Sequence, residues 1–187
     1  MEKVKAVFLD RDGVINRYPG DREYVKSWDE FFFLPKVKTA LKRLSDKGFR
    51  IFVISNQAGV GKGVYSKGAL DLITQNMLRE FSLDKISISG VYYCTHRQED
   101  NCSCRKPKSG LIDMAVTQIL KNGITLDRAK SYFIGDTILD MQAGESAGLT
   151  TILVFSGKER RDNKNNWKIQ PDYTAGDLSE AADIILA

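Results

Sequence analysis

Val4-Lys5-Ala6-Val7-Phe8-Leu9, followed at once by Asp10-Arg11-Asp12-Gly13, is the stretch on which the fold turns. A short β-branched and apolar run reads as a buried strand, and its abrupt polar end sets two carboxylates beyond the strand's carboxyl terminus. The same punctuation recurs where Arg50 to Ile54 runs into Ser55-Asn56-Gln57, and where Tyr132-Phe133-Ile134 runs into Gly135-Asp136. Gly90 to Tyr93 and Thr151 to Phe155 give further strand signals. Helical spacing falls between them, in Val37 to Leu44, Leu70 to Phe81, Leu111 to Leu120, a segment through Met141, Ala143 and Ala147, and Leu178 to Leu186. That alternation predicts an α/β fold with a mostly parallel sheet and helices on both faces.

With 187 residues the chain is expected to form one domain, residues 1–187, able to bury roughly 70% of its unfolded surface without disulfide staples. Its 42% hydrophobic and 28% charged content suits a soluble globular protein. No apolar run approaches a membrane span and Met1 to Lys5 carries no signal-peptide core, so the expectation is a cytoplasmic protein without a membrane partner. A single histidine, His96, excludes every two-histidine metal site and leaves a Ser-His-Asp triad only one base to use. The net charge of +4 suits an anionic ligand, but Lys and Arg are scattered rather than striped, which argues against nucleic acid. Lys158 to Lys168 reads as a solvated surface loop.

Ligands of open α/β sheets lie beyond the carboxyl ends of the strands. Here those ends carry Asp10 and Asp12, then Ser55-Asn56, then Asp136 and Asp140. One such carboxylate is more often a helix cap. Several at one sheet edge repel each other and need a counter-ion, and Mg²⁺ is the usual choice beside phosphate. Gly59-Val60-Gly61-Lys62-Gly63 is a false lead toward a Walker A loop: position 56 is Asn and position 63 Gly, so a flexible connection is expected instead.

Phe8-Leu9-Asp10-Arg11-Asp12-Gly13-Val14-Ile15-Asn16 resembles the D-x-D-G signature of the haloacid dehalogenase (HAD) superfamily, and Ser55, Lys106 and Gly135-Asp136 with Asp140 follow in that superfamily's order. The resemblance implies a Rossmannoid three-layer α/β/α phosphatase. It implies Asp10 as nucleophile, forming an aspartyl-phosphate, and Asp12 as general acid and then base. Ser55 and Lys106 are the implied partners of the transferring oxygens. Asp136, with the Asp10 carboxylate and the Asp12 carbonyl, is the implied Mg²⁺ set. Asp140 is assigned to the metal's waters or to Lys106.

Cys94-Thr95-His96 and Cys102-Ser103-Cys104 gather every cysteine and the only histidine into residues 94–104. Three thiolates and one imidazole complete a closed, structural Zn²⁺ site. The polar run Arg97 to Asn101 argues against buried thiols. Arg105-Lys106-Pro107 follows directly, so the metal would fold a loop that delivers two cations. This loop resembles the D-glycero-D-manno-heptose-1,7-bisphosphate 7-phosphatases and the related histidinol-phosphate phosphatases, which lack a large cap domain. Tyr92-Tyr93-Cys94, Asn56-Gln57-Ala58-Gly59 and Gly135-Asp136 to Asp140-Met141 fit the heptose branch. Thr95, in place of the usual Pro, and the stretch Asn16 to Tyr24 depart from it.

The expectation is therefore a monomeric phosphomonoesterase that removes the 7-phosphate of a heptose bisphosphate in lipopolysaccharide precursor synthesis, with Asn56, Arg105 and Lys106 binding substrate. The alternatives are a histidinol-phosphate phosphatase, a nucleic-acid 3′-phosphatase and, outside enzymes, a zinc-knuckle binding module.

Overall fold

The computed structural model describes residues 2–187. Its strands are β1 (Glu2–Val4), β2 (Ala6–Leu9), β3 (Arg50–Asn56), β4 (Gly90–Cys94), β5 (Ile124–Leu126), β6 (Tyr132–Gly135), β7 (Thr150–Val154) and β8 (Tyr173–Ala175). Its helices are α1 (Val37–Asp46), α2 (Ala58–Gly61), α3 (Lys67–Leu83), α4 (Gly110–Lys121), α5 (Ile138–Ser146) and α6 (Leu178–Leu186). Six strands form one parallel sheet in the order β4-β3-β2-β6-β7-β8, while β1 and β5 pair separately.

Strand alternation builds both hydrophobic layers. Val7 and Leu9 of β2, Ile51 and Val53 of β3 and Ile134 of β6 face α1, α3 and α6. Ala6 and Phe8, Phe52 and Ile54, and Phe133 face α4 and α5. Phe8 and Phe52 stack at 5.3 Å within the second layer, so Phe8→Ala would cost about 3–5 kcal/mol. The strands are apolar on both faces because both are covered.

Strand order reverses direction at β2: the chain moves outward through β3 to β4, then restarts at β6 and moves outward through β7 to β8. That switch point opens a crevice beyond the carboxyl end of β2, where Asp10 sits. The predicted elements stand, with ends displaced by a few residues. The β1–β5 pair, β8 and α2 were not expected, being too short to carry a period.

Residues 59–63 correct one expectation. Residues 58–61 are not a flexible connection but a packed turn, α2, with the exposed Lys62 and Gly63 following it: a Cβ on Gly59 would lie 2.2 Å from the Tyr65 ring, and one on Gly61 2.3 Å from the Thr95 carbonyl. Residues 158–168 also contain a short 3-10 turn, Arg161–Asn166, within the predicted surface loop. No helix among the described residues is long and apolar enough to cross a membrane.

Candidate active site

A cleft of about 230 Å³ opens at the carboxyl ends of β2, β3 and β6. It brings together Asp10, Asp12, Ser55, Asn56, Arg105, Lys106, Asp136 and Asp140, every residue predicted for the catalytic end. Residues 18–24 form a strap along it, and Lys158 lines it too. A larger concavity of about 790 Å³ lies along α4 between Tyr92 and Lys121, but none of these residues borders it, so size does not identify the site.

At the floor of the cleft, Lys106 is 4% exposed, with Nζ 2.8 Å from Asp10 Oδ1 and 2.5 Å from Asp140 Oδ1. It also donates to the Ile54 carbonyl at 3.0 Å. Burial disfavours the Lys106 ammonium, but Asp10 and Asp140 outweigh that and hold it above the ordinary lysine value. Carboxylate oxygens of Asp10, Asp136 and Asp140 lie within 4.8 Å of one another. Burial pushes the Asp10 carboxyl up to about 6; Lys106 opposes this, while Asp140 and Asp12 add to the rise. Burial, reinforced by Asp10 and Asp140, holds Asp136 well above the usual carboxylate range. Once ionised, three carboxylates against one ammonium leave two negative charges in a buried, oxygen-lined site. A hard divalent cation fits that donor set and charge.

Local structure fixes each carboxylate. Asp140 is the third residue of α5 and completes a capping box: its Oδ2 accepts from Thr137 N at 3.0 Å and Oγ1 at 2.7 Å, leaving Oδ1 for Lys106. Asp136 Oδ2 accepts from the Lys158 backbone N–H at 2.8 Å. Two glycines make room for that carboxylate. A Cβ on Gly13 would lie 2.3 Å from Asp136 Oδ2, and one on Gly157 2.0 Å away. Gly13 also has a φ of +86°, which the turn after Asp12 demands.

Asp12 lines the same cleft but lies outside that close group of carboxylates. Its oxygens accept from Arg11 Nη2 at 3.0 Å, Asn16 Nδ2 at 2.8 Å and Gln57 Nε2 at 2.9 Å. Arg11 is fully buried, its guanidinium 5.9 Å and 5.7 Å from the rings of Phe31 and Tyr93. Gln57 is buried as well: its Nε2 also reaches Ser55 Oγ at 3.1 Å, and its Oε1 accepts from Tyr65 Oη at 2.6 Å. One amide thus ties Asp12 to Ser55. None of Arg11, Asn16, Gln57 and Tyr65 stood out as a site residue in the sequence. Arg11 and Asn16 lay inside the quoted motif, whereas Tyr65 carried no signal.

Asn56 lines the cleft, but its amide is committed to the protein. Nδ2 donates to the Lys106 carbonyl and Oδ1 accepts from the Lys106 N–H, both at 3.1 Å. Asn56 therefore also holds the Lys106 backbone in place.

The Cys-His cluster begins where β4 ends, with Cys94 in register with Asn56. Nδ1 of His96 lies 3.6 Å from Cys94 Sγ and 3.3 Å from Cys104 Sγ. Cys102 Sγ lies 3.6 Å from Cys94 Sγ and 3.5 Å from Cys104 Sγ. Zn–S bonds of about 2.3 Å and Zn–N bonds of about 2.0–2.1 Å imply tetrahedron edges of roughly 3.5–3.8 Å, so the donor set fits. Burial differs from expectation at one ligand. Cys94 is fully buried because it ends a core strand, while Cys102 and Cys104 are half-buried. Lys108 Nζ fastens the loop by donating to the carbonyls of Asn101 and Cys102 and to Asn101 Oδ1.

Comparison with known proteins agrees with this geometry. Residues 103–181 match the HAD-hydrolase-like family. The chain is 34% identical to the D-glycero-D-manno-heptose-1,7-bisphosphate 7-phosphatase of Chlorobaculum tepidum, over 97% of this chain and 94% of that protein. It is 39% identical to the D-glycero-beta-D-manno-heptose-1,7-bisphosphate 7-phosphatase of Haemophilus ducreyi, over 82% and 85%. The crystal structure of D,D-heptose 1,7-bisphosphate phosphatase from B. bronchiseptica, complexed with magnesium and phosphate, superposes with a TM-score of 0.84 at 28% identity, covering 100% of this chain and 98% of that one.

Proposed function

The chain belongs to the HAD-like phosphatases, in the family of the heptose-1,7-bisphosphate 7-phosphatases, and from that premise we propose that it removes the 7-phosphate of a D-glycero-D-manno-heptose 1,7-bisphosphate. The observation that carries this reading is the buried cluster of Asp10, Asp136, Asp140 and Lys106 at the switch point of the sheet, with the Ser55 hydroxyl beside it.

In the first step an Asp10 oxygen attacks phosphorus, the bond to the sugar oxygen breaks, and Asp12 gives that oxygen its proton. In the second, Asp12 takes a proton from water as the water oxygen attacks phosphorus, releasing inorganic phosphate and the Asp10 carboxylate. Ser55 and Lys106 direct the transferring oxygens. Asp10, Asp136 and the Asp12 carbonyl would hold Mg²⁺, whose charge balances the two negative charges of the site and offsets those of the phosphoryl group. Asp140 positions Lys106 from its capping box.

Cys94, His96, Cys102 and Cys104 would hold a structural Zn²⁺, which would fix the segment leading into Arg105 and Lys106. Unpaired thiols of this kind suit a reducing, cytoplasmic compartment. There the enzyme acts as a monomer on a soluble sugar phosphate destined for lipopolysaccharide precursors.

The test is phosphate release from heptose 1,7-bisphosphate, heptose 7-phosphate, histidinol phosphate and a 3′-phosphorylated oligonucleotide, with and without Mg²⁺. The bisphosphate should have the highest kcat/KM, and only with Mg²⁺. Faster turnover of histidinol phosphate or of the oligonucleotide would replace this reading.

A further inference from the structure

Lys158 stands in two places at once. Its backbone N–H donates to Asp136 Oδ2 in the catalytic cluster, while its Nζ lies 2.8 Å from Asp21 Oδ1 on the strap of residues 18–24. Both residues line the cleft. The same Asp21 oxygen accepts from Tyr18 Oη at 2.6 Å, so Asp21 would stay anchored without Lys158.

Of the other cations that line the cleft, Arg22 sits on the strap beside Asp21, and Lys106 and Arg105 are engaged elsewhere. Lys106 is buried between Asp10 and Asp140. Arg105 approaches from the β4 side, with Nη1 donating to the His96 carbonyl at 3.4 Å. Lys158 approaches after β7, on the other side of β2. Its ion pair is loose: the two side chains are 50% and 72% exposed, and such pairs contribute little. A phosphate dianion brings more charge than a carboxylate and three acceptor oxygens. It would take the ammonium from Asp21 with little opposition.

We propose that Lys158 is the receptor for the second phosphate of a bisphosphorylated substrate, and that Asp21 occupies it as a carboxylate stand-in until that phosphate displaces it. The proposal rests on the bisphosphate reading above. It makes Lys158 a specificity residue: a monophosphate leaves the Lys158–Asp21 pair closed, and a bisphosphate opens it. Because the contact to Asp136 runs through the backbone, a side-chain substitution at 158 keeps that contact.

The test is KM for heptose 1,7-bisphosphate and for heptose 7-phosphate in wild type, Lys158→Met, Lys158→Arg, Asp21→Asn and the Lys158→Met/Asp21→Asn double variant. Lys158→Met should raise KM for the bisphosphate about tenfold more than for the monophosphate, the order expected for one charged contact, and Lys158→Arg should recover most of it. Asp21→Asn should lower KM for the bisphosphate about two- to threefold, as removal of a weak competing pair should. That gain should vanish in the double variant, which separates release of Lys158 from general loss of negative charge. Equal effects of Lys158→Met on both substrates, or a gain that survives in the double variant, would overturn the proposal alone. A wild type indifferent to the second phosphate would overturn it together with the substrate reading.

Discussion

Withholding Mg²⁺ should make the protein lose stability as pH rises, against the usual direction for an acid-sensitive protein. Burial lifts the Asp10 carboxyl from its ordinary 3.8 to about 6. A carboxyl raised on folding binds more protons in the native state than in the unfolded one. Stability from that group is therefore full below the unfolded value and is lost as pH climbs through the folded value. A rise of roughly two pH units is worth about 3 kcal/mol at Asp10 alone, lost between about pH 4 and 6. Asp136 is raised as well and works in the same direction. For a chain of this size about 3 kcal/mol corresponds to roughly 6–12 °C in Tm. The assay is thermal unfolding of zinc-loaded protein from pH 4.5 to 7.5, with and without 10 mM Mg²⁺ (about the upper end of ordinary assay conditions). Mg²⁺ should add little at low pH and progressively more above pH 6, because it binds only the ionised cluster. Asp10→Asn should shrink the pH dependence and also abolish turnover, since an amide cannot attack phosphorus. Mg²⁺ stabilisation of equal size at pH 4.5 and 7.5 would refute the claim that these carboxyls compete with the metal for protons.

Other substitutions separate the remaining roles. Asp12→Asn should slow turnover of the sugar phosphate by about 10²- to 10⁴-fold and an activated aryl phosphate less, read from kcat on both. Gly13→Ala would set a Cβ 2.3 Å from Asp136 Oδ2 at a φ of +86°, so the Mg²⁺ concentration for half-activity should rise and Tm fall. Cys102→Ser should release zinc, measured by atomic spectroscopy, and lower kcat through Lys106 while the main sheet stays folded.

The parallel sheet and its acidic edge were legible because each rests on a local pattern. An apolar run ending in Asp10, Ser55 or Asp136 states both the strand and the end of it that carries chemistry. The Cys-His cluster was legible for a different reason, since four rare side chains within residues 94–104 have few other uses, and the fold does bring them together. What stayed hidden depends on distant partners. The amide of Gln57 meets Asp12, 45 positions away, and the Asp21–Lys158 pair spans more than a hundred. Neither has a period or a spacing to reveal it. The short strands β1, β5 and β8 escaped because three residues show no alternation.

Asn56 shows how a correctly located residue can carry a contact that the sequence does not reveal. Its position at the carboxyl end of β3 made it a candidate ligand for substrate, yet both amide groups close on the backbone of Lys106. Its partner in register is Cys94, the first residue of the Cys-His cluster, and the last, Cys104, stands two residues before Lys106. Lys106 is thus held from the sheet by Asn56 and from the Cys-His loop by the chain itself. Asp10, Asp140 and the Ile54 carbonyl hold the ammonium itself, and the two supports keep its backbone where those contacts can form, since a buried charge away from its partners is costly. On the zinc reading proposed above, the closed Cys-His site would then serve the reaction by placing Lys106 and not by taking part in it.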